Sequence, residues 1–380
     1  MSKILVEPSI ALGIPLAHRL PIMKRKRKNF DSDGSRAPPE YVIDGDHRRV
    51  KPYYFEYSTF AKERWYGRAI QEVFGSEFKD KPGYYYQRAI KHSLITVNEE
   101  SVDENYVLKP NDVISHLIHR HEPPVTSQDI KIIFENSDII AVDKPASIPV
   151  HPSGRYHHNT LVGILKNEKG LDHVSVINRL DRLTSGIVIM AKNPQYASKL
   201  HQMIENGKLQ KEYYCKVKGN FPDDIKVCDA PIKTVNYKLS LNIVSEDGKK
   251  CLTEFEKIHH DSEYSYLIAR PLTGRTHQIR VHLCHLGFPI VNDPLYSSEI
   301  FREITENASR SSKITEITQK LEPSEDEYKG IELDETFNCF DCKMPKADPT
   351  PENMYLCLHA FSYRGPDFSF TTDLPPWMKL

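Results

Sequence analysis

The chain has 380 residues with a net charge of −1, of which 39% are hydrophobic and 27% charged, so it is long enough for two or three folded domains. This composition excludes a collagen-like or globally disordered chain, and the balanced charge argues against a protein that coats nucleic acid indiscriminately. No stretch of about 18 uncharged apolar residues occurs, so we expect no spanning helix and no membrane partner. Seven scattered cysteines fit reduced intracellular thiols better than a disulfide framework.

The N-terminal residues 1–50 lack periodic apolarity, and we predict a mostly disordered basic tail, with packed structure beginning near Tyr53. The basic block at residues 24–28 is typical of a nuclear localisation signal, of a phosphate-binding arm, or of a solvated tail. We therefore expect an intracellular protein that is cytoplasmic, nuclear or both, with a mitochondrial location left open.

A small α+β domain is predicted over residues 51–122. Apolar residues at helical spacing indicate a helix over residues 59–78, and a second helix is predicted over 84–91. Strands follow at 94–98 and 112–116. I-T-V-N at 95–98 and P-N-D-V-I at 110–114 resemble the alpha-L RNA-binding fold of a small-subunit ribosomal protein. The alternative is an ordinary hairpin in a small domain.

A larger domain is predicted over residues 123–300, after a proline-rich linker at 119–125. Its strands are expected at 132–136, 139–145, 185–191, 213–217, 239–244, 253–257 and 264–269, and its helices at 160–166, 195–207 and 277–287. Many short strands in irregular order favour an α+β fold with a mixed, mainly antiparallel sheet and flanking helices. Residues 301–337 are predicted to form a charged insertion or linker, and residues 338–380 to pack on the larger domain.

The segment at residues 178–186 places Asp181 between Arg179 and Arg182, on a polar turn before an apolar strand. Guanidinium groups favour the charged form of a nearby carboxylate, so we expect Asp181 to be ionised and able to act as a nucleophile or base. The same arginines suit a polyanion. The alternative is a surface ion pair, which contributes little to stability.

A second polar motif, residues 272–282, is the densest in the chain. Gly274 permits a sharp turn, and Thr276 is predicted to cap the following helix. Arg275 and Arg280 flank that helix start, where an anion such as phosphate or the Asp181 carboxylate is favoured. His277 and His282 are five residues apart, which does not suit two metal ligands on one helix face, so structural histidines are the expectation.

Metal ligation has one weak signal, the C-x-x-C formed by Cys339 and Cys342. Cys357 and His359 could complete a zinc site with them; the alternative is two unpaired surface thiols. A closed four-ligand site of this kind would be a structural clip, so we expect no metal at the reaction centre.

Three ordered motifs resemble the signatures of the RluA-type pseudouridine synthases: R-L-D-R-L-T-S-G at 179–186, L-x-K-E-Y at 209–213 and P-L-T-G-R-T-H-Q-I-R-V-H at 271–282. V-D-K-P at 142–145 with P-V-H-P at 149–152 is similar to the family's opening strand and loop, so the resemblance spans about residues 130–296. P-Y-Y-F at 52–55 and H-R-H-E-P-P at 119–124 resemble the eukaryotic branch that includes fungal tRNA uridine-32 synthases and an animal homologue.

The resemblance implies an RNA uridine isomerase that acts on tRNA and needs no cofactor. We expect the protein to be a monomer. The resemblance also implies that Asp181 attacks the ribose or removes its 2′ proton, that Arg280 orients Asp181, and that Tyr213 lies against the flipped uracil with its hydroxyl available for proton transfer at C5. Arg179 is implied to fill the vacated base stack. The implied RNA contacts are made by Arg179, Arg182, Arg275 and His277.

One residue departs from the family pattern, because Asn178 stands where histidine is usual. Asparagine donates and accepts hydrogen bonds but does not titrate. This departure motivates an alternative hypothesis, an RNA-binding protein that keeps the fold with weak or no activity, which the presence of Asp181 opposes.

Overall fold

The computed structural model describes residues 38–78, 81–171, 173–224, 226–237, 240–306, 339–343 and 346–378. Its strands are β1 (Tyr41–Asp44), β2 (His47–Val50), β3 (Tyr53–Phe60), β4 (Ile95–Val97), β5 (Glu100–Ser101), β6 (Val113–Arg120), β7 (Val125–Thr126), β8 (Lys131–Glu135), β9 (Ile139–Lys144), β10 (Ser175–Val176), β11 (Ser185–Ala191), β12 (Gln210–Lys218), β13 (Val227–Cys228), β14 (Ile232–Asn236), β15 (Leu241–Val244), β16 (Thr253–His260), β17 (Tyr264–Pro271), β18 (Leu358–Gly365) and β19 (Phe368–Thr371). Its helices are α1 (Ile70–Glu77), α2 (Gly83–Lys91), α3 (Leu161–Lys169), α4 (Pro194–Glu205), α5 (Gln278–His285), α6 (Glu299–Glu306) and α7 (Phe340–Lys343), with 3-10 turns at Glu63–Trp65 and Pro351–Met354. The basic block at 24–28 and most of the predicted insertion at 301–337 lie outside the described residues.

Ordered structure begins earlier than predicted, with a hairpin. β1 and β2 pair antiparallel, Asp44 opposite His47, and β2 also pairs with β7 at the start of the larger domain. The two-residue turn has Gly45 at its first position with φ +56°, a conformation that glycine adopts without strain. The expected start of packed structure near Tyr53 is therefore wrong, because the turn at Gly45 lets residues 41–50 form a hairpin that pairs with β7.

The small domain is a four-stranded sheet in the order β3-β6-β4-β5, with α1 and α2 packed beside it. Its core is separate from that of the larger domain and includes Trp65, Ile70, Phe74 and Tyr86. The helix predicted over residues 59–78 is wrong in its first half. Residues 59 and 60 end β3, which pairs with β6 along its whole length, and residues 63–65 form a 3-10 turn before α1 begins at Ile70.

The end of β6 corrects a second boundary. His119 and Arg120, predicted to lie in a linker, pair with Tyr54 and Tyr53 of β3. The two prolines at positions 123 and 124 follow the strand rather than preventing it.

The larger domain is built on a sheet in the order β13-β16-β17-β12-β18-β11-β9-β8, with β10 beside β11 and β19 beside β18. All pairs are antiparallel except β11 with β18, so the predicted mixed, mainly antiparallel α+β sheet is confirmed. A separate hairpin of β14 and β15 was only partly predicted, because β14 was missed.

β11 lies near the middle of the sheet and is covered on both faces. Ile187, Val188, Ile189 and Met190 are all fully buried, which explains a continuous apolar run instead of an alternating one. The chain returns at β18, between β11 and β12, so the C-terminal segment forms part of this central sheet. The start of β11 and the middle of β12 are thereby held at fixed positions.

Helices α3, α4 and α5 begin and end close to their predicted limits. The longest described helix, α4, has 12 residues, and no described helix is long and apolar enough to cross a bilayer.

Candidate active site

Asp181 lies on the turn that leads into β11, and its neighbours in sequence fasten that turn to the core. Leu180 and Leu183 are buried in the main apolar cluster. The backbone N–H of Thr184 donates to the Asp181 carbonyl at 3.1 Å. The Asp181 side chain is partly buried, with 30% of it exposed.

Arg280, on α5, contacts this carboxylate from a position 99 residues later in the chain. Its Nη1 donates to Asp181 Oδ2 at 2.8 Å. Its Nε and Nη2 donate to the two carboxylate oxygens of Asp293 at 2.7 and 2.9 Å. One guanidinium thus bridges two carboxylates, and the bidentate contact with Asp293 fixes its direction.

Asp293 is itself fixed, although no motif pointed to it. Its Oδ1 also accepts the backbone N–H groups of Leu295 and Tyr296, each at 3.0 Å, and the residue is 1% exposed. The loop after α5 therefore fixes Asp293, Asp293 fixes the Arg280 guanidinium, and Arg280 holds the Asp181 carboxylate.

His277 approaches the same carboxylate from the residue before α5. Its Nε2 lies 3.6 Å from Asp181 Oδ2, and its Nδ1 is 2.8 Å from the Tyr296 hydroxyl. The residue that precedes the first turn is His277, with φ +58°, so the predicted Thr276 cap is wrong. Burial lowers the pKa of His277, although Asp181 opposes the shift, so the imidazole is neutral at pH 7.

Lys144 is a fully buried cation next to the site. Its Nζ donates to the carbonyls of Pro145, Ile148 and Arg182 at 2.9, 2.8 and 3.3 Å, which ties the loop after β9 to the Asp181 turn. Burial lowers the pKa of Lys144 to about 7, against the opposing attraction of Asp181. Lys144 belongs to the V-D-K-P segment at residues 142–145, but no feature of the sequence predicted its role.

The groups that surround Asp181 decide the charge of its carboxyl. Burial acts to raise the pKa of its carboxyl, whereas His277, Arg280 and Lys144 lower it, and the net shift is downward. Arg280 adds a direct hydrogen bond at 2.8 Å to the effect of its charge. Asp181 is consequently a carboxylate at neutral pH.

Tyr213 lies in β12, opposite Ala269 of β17 and Ala360 of β18, and is 8% exposed. Burial raises the pKa of its phenol well above 10, and the nearby Asp181 charge adds to the shift. Tyr213 is therefore a neutral phenol beside a carboxylate. The structure brings together Asp181, Tyr213, Arg280 and His277 from three predicted motifs.

The remaining predicted RNA-binding residues lie further out. Arg179 is exposed on the Asp181 turn, near enough to His151 to help lower its pKa. Arg182 stacks over Tyr156 with 5.8 Å between the guanidinium carbon and the ring centroid. Arg275 is exposed but donates from Nε and Nη2 to the Lys250 carbonyl at 3.3 and 3.2 Å, so it braces a neighbouring turn.

A cleft of about 390 Å³ opens beside this site. Its walls come from the Asp181 turn, from the Asp293 loop and from the C-terminal segment, and include Arg182, Leu183, Asn292, Pro294 and Asn353. The cleft therefore leads from the surface to the two loops that carry Asp181 and Asp293.

The Asn178 side chain makes hydrogen bonds to the backbone of β11. Its Nδ2 donates to the Ile187 carbonyl at 3.0 Å, and its Oδ1 accepts the Ile189 N–H at 2.8 Å. Both halves of the amide are used on the backbone of β11, and the residue is 8% exposed. The side chain fastens the turn to the strand.

The predicted set of four zinc ligands is wrong in two members. His359 uses Nδ1 on the Ser185 hydroxyl at 2.8 Å and Nε2 on the Thr372 hydroxyl at 2.6 Å, and Cys357 is buried in the central sheet. Cys339 and Cys342 lie elsewhere, beside His119. Cys357 and His359 lie at the start of β18, against Val291 and Ser185, and not beside the two other cysteines.

Comparisons with known proteins show the family to which the chain is similar. A family model described as RNA pseudouridylate synthase matches residues 138–285, which include Asp181, Tyr213 and Arg280. The mouse protein named pseudouridylate synthase RPUSD2 is 36% identical over 424 residues, covering 95% of this chain and 77% of its own. A Saccharomyces cerevisiae protein named tRNA pseudouridine(32) synthase, mitochondrial, is 40% identical over 374 residues, covering 93% of this chain and 79% of its own.

A second Saccharomyces cerevisiae protein, named tRNA pseudouridine(31) synthase, is 33% identical over 392 residues, covering 88% of this chain and 96% of its own. These similarities extend along most of both chains and include the segment that carries the bridged carboxylate. The chain therefore belongs to the RNA pseudouridylate synthase family.

Proposed function

We propose that this protein converts a specific uridine of tRNA to pseudouridine, with Asp181 as the reacting carboxylate. The observation that carries the proposal is the Arg280 bridge, in which Arg280 Nη1 lies 2.8 Å from Oδ2 of the ionised Asp181 carboxylate. The buried ring of Tyr213 lies beside this carboxylate. A charged carboxylate is the form that can attack a sugar carbon or remove a proton.

The reaction rearranges one nucleotide and needs no outside reactant. The bond between C1′ and N1 of uracil breaks, the base turns, and a bond forms between C1′ and C5. C5 loses its hydrogen as a proton, and N1 gains one. Asp181 either attacks C1′, and the base later displaces it, or removes the 2′ proton to give a glycal that is reprotonated.

A stacked base cannot reach a carboxylate held in a turn, so the target nucleotide must be flipped out of its stack at a cost of a few kcal/mol. Arg179 has an exposed side chain on the turn that carries Asp181, and we propose that this side chain fills the space that the flipped base leaves in the stack. Arg182 and the adjacent cleft would receive the flanking backbone, because guanidinium groups bind phosphate well.

Tyr213 suits a role as a stacking surface for the flipped uracil. Its raised pKa makes the phenol a poor base at neutral pH but leaves it a hydrogen-bond donor. This favours ring contact with the base over direct removal of the C5 proton by phenolate. His277, neutral and fixed by Tyr296, would contribute a hydrogen bond at the mouth of the site rather than a charge.

The small domain is proposed to bind RNA, in keeping with its resemblance to the alpha-L fold. It joins the larger domain through β6 and the segment that follows, and the exposed tyrosines of β3, Tyr54 and Tyr57, offer stacking surfaces. The tRNA substrate is suggested by the printed names of the two yeast relatives.

We also propose an intracellular monomer. None of the seven cysteines forms a disulfide, which fits a reducing intracellular compartment.

A second candidate is an RNA-binding protein of the same fold with weak or no activity, for which Asn178 is the motivating feature. The position of Asn178 weakens this candidate, because its amide is occupied by the β11 backbone and is not part of the contacts to Asp181.

The test is incubation of purified protein with total tRNA from cells that lack it, followed by chemical mapping of pseudouridine at nucleotide resolution. The proposal expects new pseudouridine at one or a few positions. RNA binding without any product would support the second candidate instead, and product only in other RNA classes would refute the tRNA substrate.

A further inference from the structure

A cluster of four potential metal ligands lies away from Asp181, where the end of β6 meets α7. His119, His121, Cys339 and Cys342 each offer one donor atom, and all four atoms lie within 4.8 Å of one another. The two pairs are separated by more than 200 residues of sequence, with the predicted charged insertion between them.

Local backbone structure brings the two histidines together and, separately, the two cysteines. His119 and His121 alternate with Arg120, whose guanidinium points the other way to the Tyr57 hydroxyl and the Gly154 carbonyl. In an extended strand, residues i and i+2 share a face. Cys339 and Cys342 are three residues apart around the first turn of α7, where Cys342 N–H donates to the Cys339 carbonyl at 3.1 Å. That spacing brings two thiols together.

Three of the four donor atoms have the separations of a tetrahedral metal site, and Cys339 Sγ lies within 4.8 Å of each of them. Cys342 Sγ lies 3.3 Å from His119 Nδ1 and 3.2 Å from His121 Nε2, and these two nitrogens are 3.2 Å apart. With zinc–sulfur and zinc–nitrogen bonds of about 2.3 and 2.0–2.1 Å, a tetrahedron has edges of about 3.3–3.8 Å. Such a triangle of mutual contacts is poorly explained by hydrogen bonds, because one thiol proton and one imidazole proton satisfy only two of its edges.

We propose that His119, His121, Cys339 and Cys342 bind one structural Zn²⁺ ion. Two thiolates and two neutral imidazoles balance the charge of the ion, and an S₂N₂ tetrahedron is a typical zinc site. A two-iron cluster with the same ligand types would place the histidines on one iron and the cysteines on the other, whereas here one sulfur touches both nitrogens.

The ion would clip the returning chain to the small domain. Neighbouring contacts reinforce the junction: Asp341 lies 3.8 Å from Lys81 Nζ and 3.7 Å from Arg155 Nη2, and Asp348 accepts two hydrogen bonds from Arg49. Pro349 and Asn353, which follow, line the cleft beside Arg182. The zinc site thus holds the segment that forms one wall of the cleft, and all four ligand positions are taken by protein, so substrate has no place on the metal.

Elemental analysis of the full chain, purified under reducing conditions without a histidine tag, tests the proposal. We expect about one zinc per chain in the wild type, none in the double variant Cys339→Ser/Cys342→Ser, and wild-type zinc in the matched variant Cys357→Ala. Zinc retained by the double variant, or lost from folded Cys357→Ala, would overturn the assignment.

Spectroscopy on the wild type covers the case in which the double variant fails to fold. Protein stripped by a chelator and titrated with Co²⁺ should show tetrahedral ligand-field bands and a thiolate charge-transfer band at one equivalent, and its Tm should rise. A silent Co²⁺ titration, or a disulfide between Cys339 and Cys342 in freshly reduced protein, would refute the site. Neither readout depends on uridine isomerisation.

Discussion

Arg280 and Asp293 form a buried bidentate ion pair, with Nε and Nη2 of the guanidinium 2.7 and 2.9 Å from the two carboxylate oxygens. The third guanidinium nitrogen, Nη1, is thereby aimed at Asp181. A residue outside every recognisable motif therefore directs the contact of Arg280 with the Asp181 carboxylate.

Asp293→Asn tests this dependence. The substitution keeps volume but places an amide N–H₂ or a weaker acceptor against a buried guanidinium, which should cost about 3–5 kcal/mol of unfolding free energy. Since Arg280 loses its direction, we expect kcat to fall about 10²-fold or more with a smaller change in KM. Urea denaturation and steady-state kinetics measure the two effects; a variant with lowered stability and unchanged kcat would limit Asp293 to a structural role.

Asn178 should affect stability more than chemistry. Asn178→Ala leaves the Ile187 carbonyl and the Ile189 N–H without their partners in a buried setting, at about 1–3 kcal/mol for each group. We expect a lower urea midpoint, with kcat close to the wild type at a temperature where the variant is folded. A variant of wild-type stability whose turnover collapses would instead place Asn178 in the reaction.

Gly186 is required by the parallel contact of β11 with β18. Its φ is +110°, and a Cβ there would lie 2.3 Å from the Ala360 carbonyl oxygen. Gly186→Ala should therefore destabilise the protein by several kcal/mol or prevent folding, beyond the roughly 1–2 kcal/mol expected for left-handed backbone alone. Gly207→Ala is the matched control, because Gly207 has φ +64° and nothing within 4 Å of its Cβ position. Equal Tm losses in the two variants would contradict the close contact.

Lys144 should make stability depend on pH. Burial lowers its pKa to about 7 in the folded protein, whereas the unfolded chain has a value near 10.4. Between these values the unfolded state binds more protons, so this contribution to the free energy of unfolding increases as pH rises, by at most about 1.4 kcal/mol per unit, and is lost as pH falls to 7. Urea denaturation at several pH values from 7 to 9.5 should show the wild type gaining stability relative to Lys144→Met. Parallel curves would contradict the lowered pKa.

Sequence reasoning found the motifs that meet in space, because Asp181, Tyr213 and Arg280 each lie in a distinctive local pattern. It missed Asp293 and Lys144, whose roles depend on contacts between distant loops that no local pattern records. The sequence predicted α3, α4 and α5 close to their limits, but it began the helix of the small domain at residue 59, where β3 still pairs with β6, whereas α1 begins only at Ile70. The place of β18 between β11 and β12, and the meeting of His119 with Cys342, are long-range arrangements of the same kind.

The central claim is that the ionised Asp181 carboxylate carries out the chemical step, and release of tritium from RNA labelled at C5 of uridine measures that step directly. Asp181→Asn should release no tritium above background, a loss of at least about 10³-fold, while its affinity for the RNA stays near the wild-type value. Asp367→Asn, an exposed carboxylate that pairs with Lys199 at the far end of β18, is the control and should release tritium at the wild-type rate. Wild-type tritium release by folded Asp181→Asn would contradict the account.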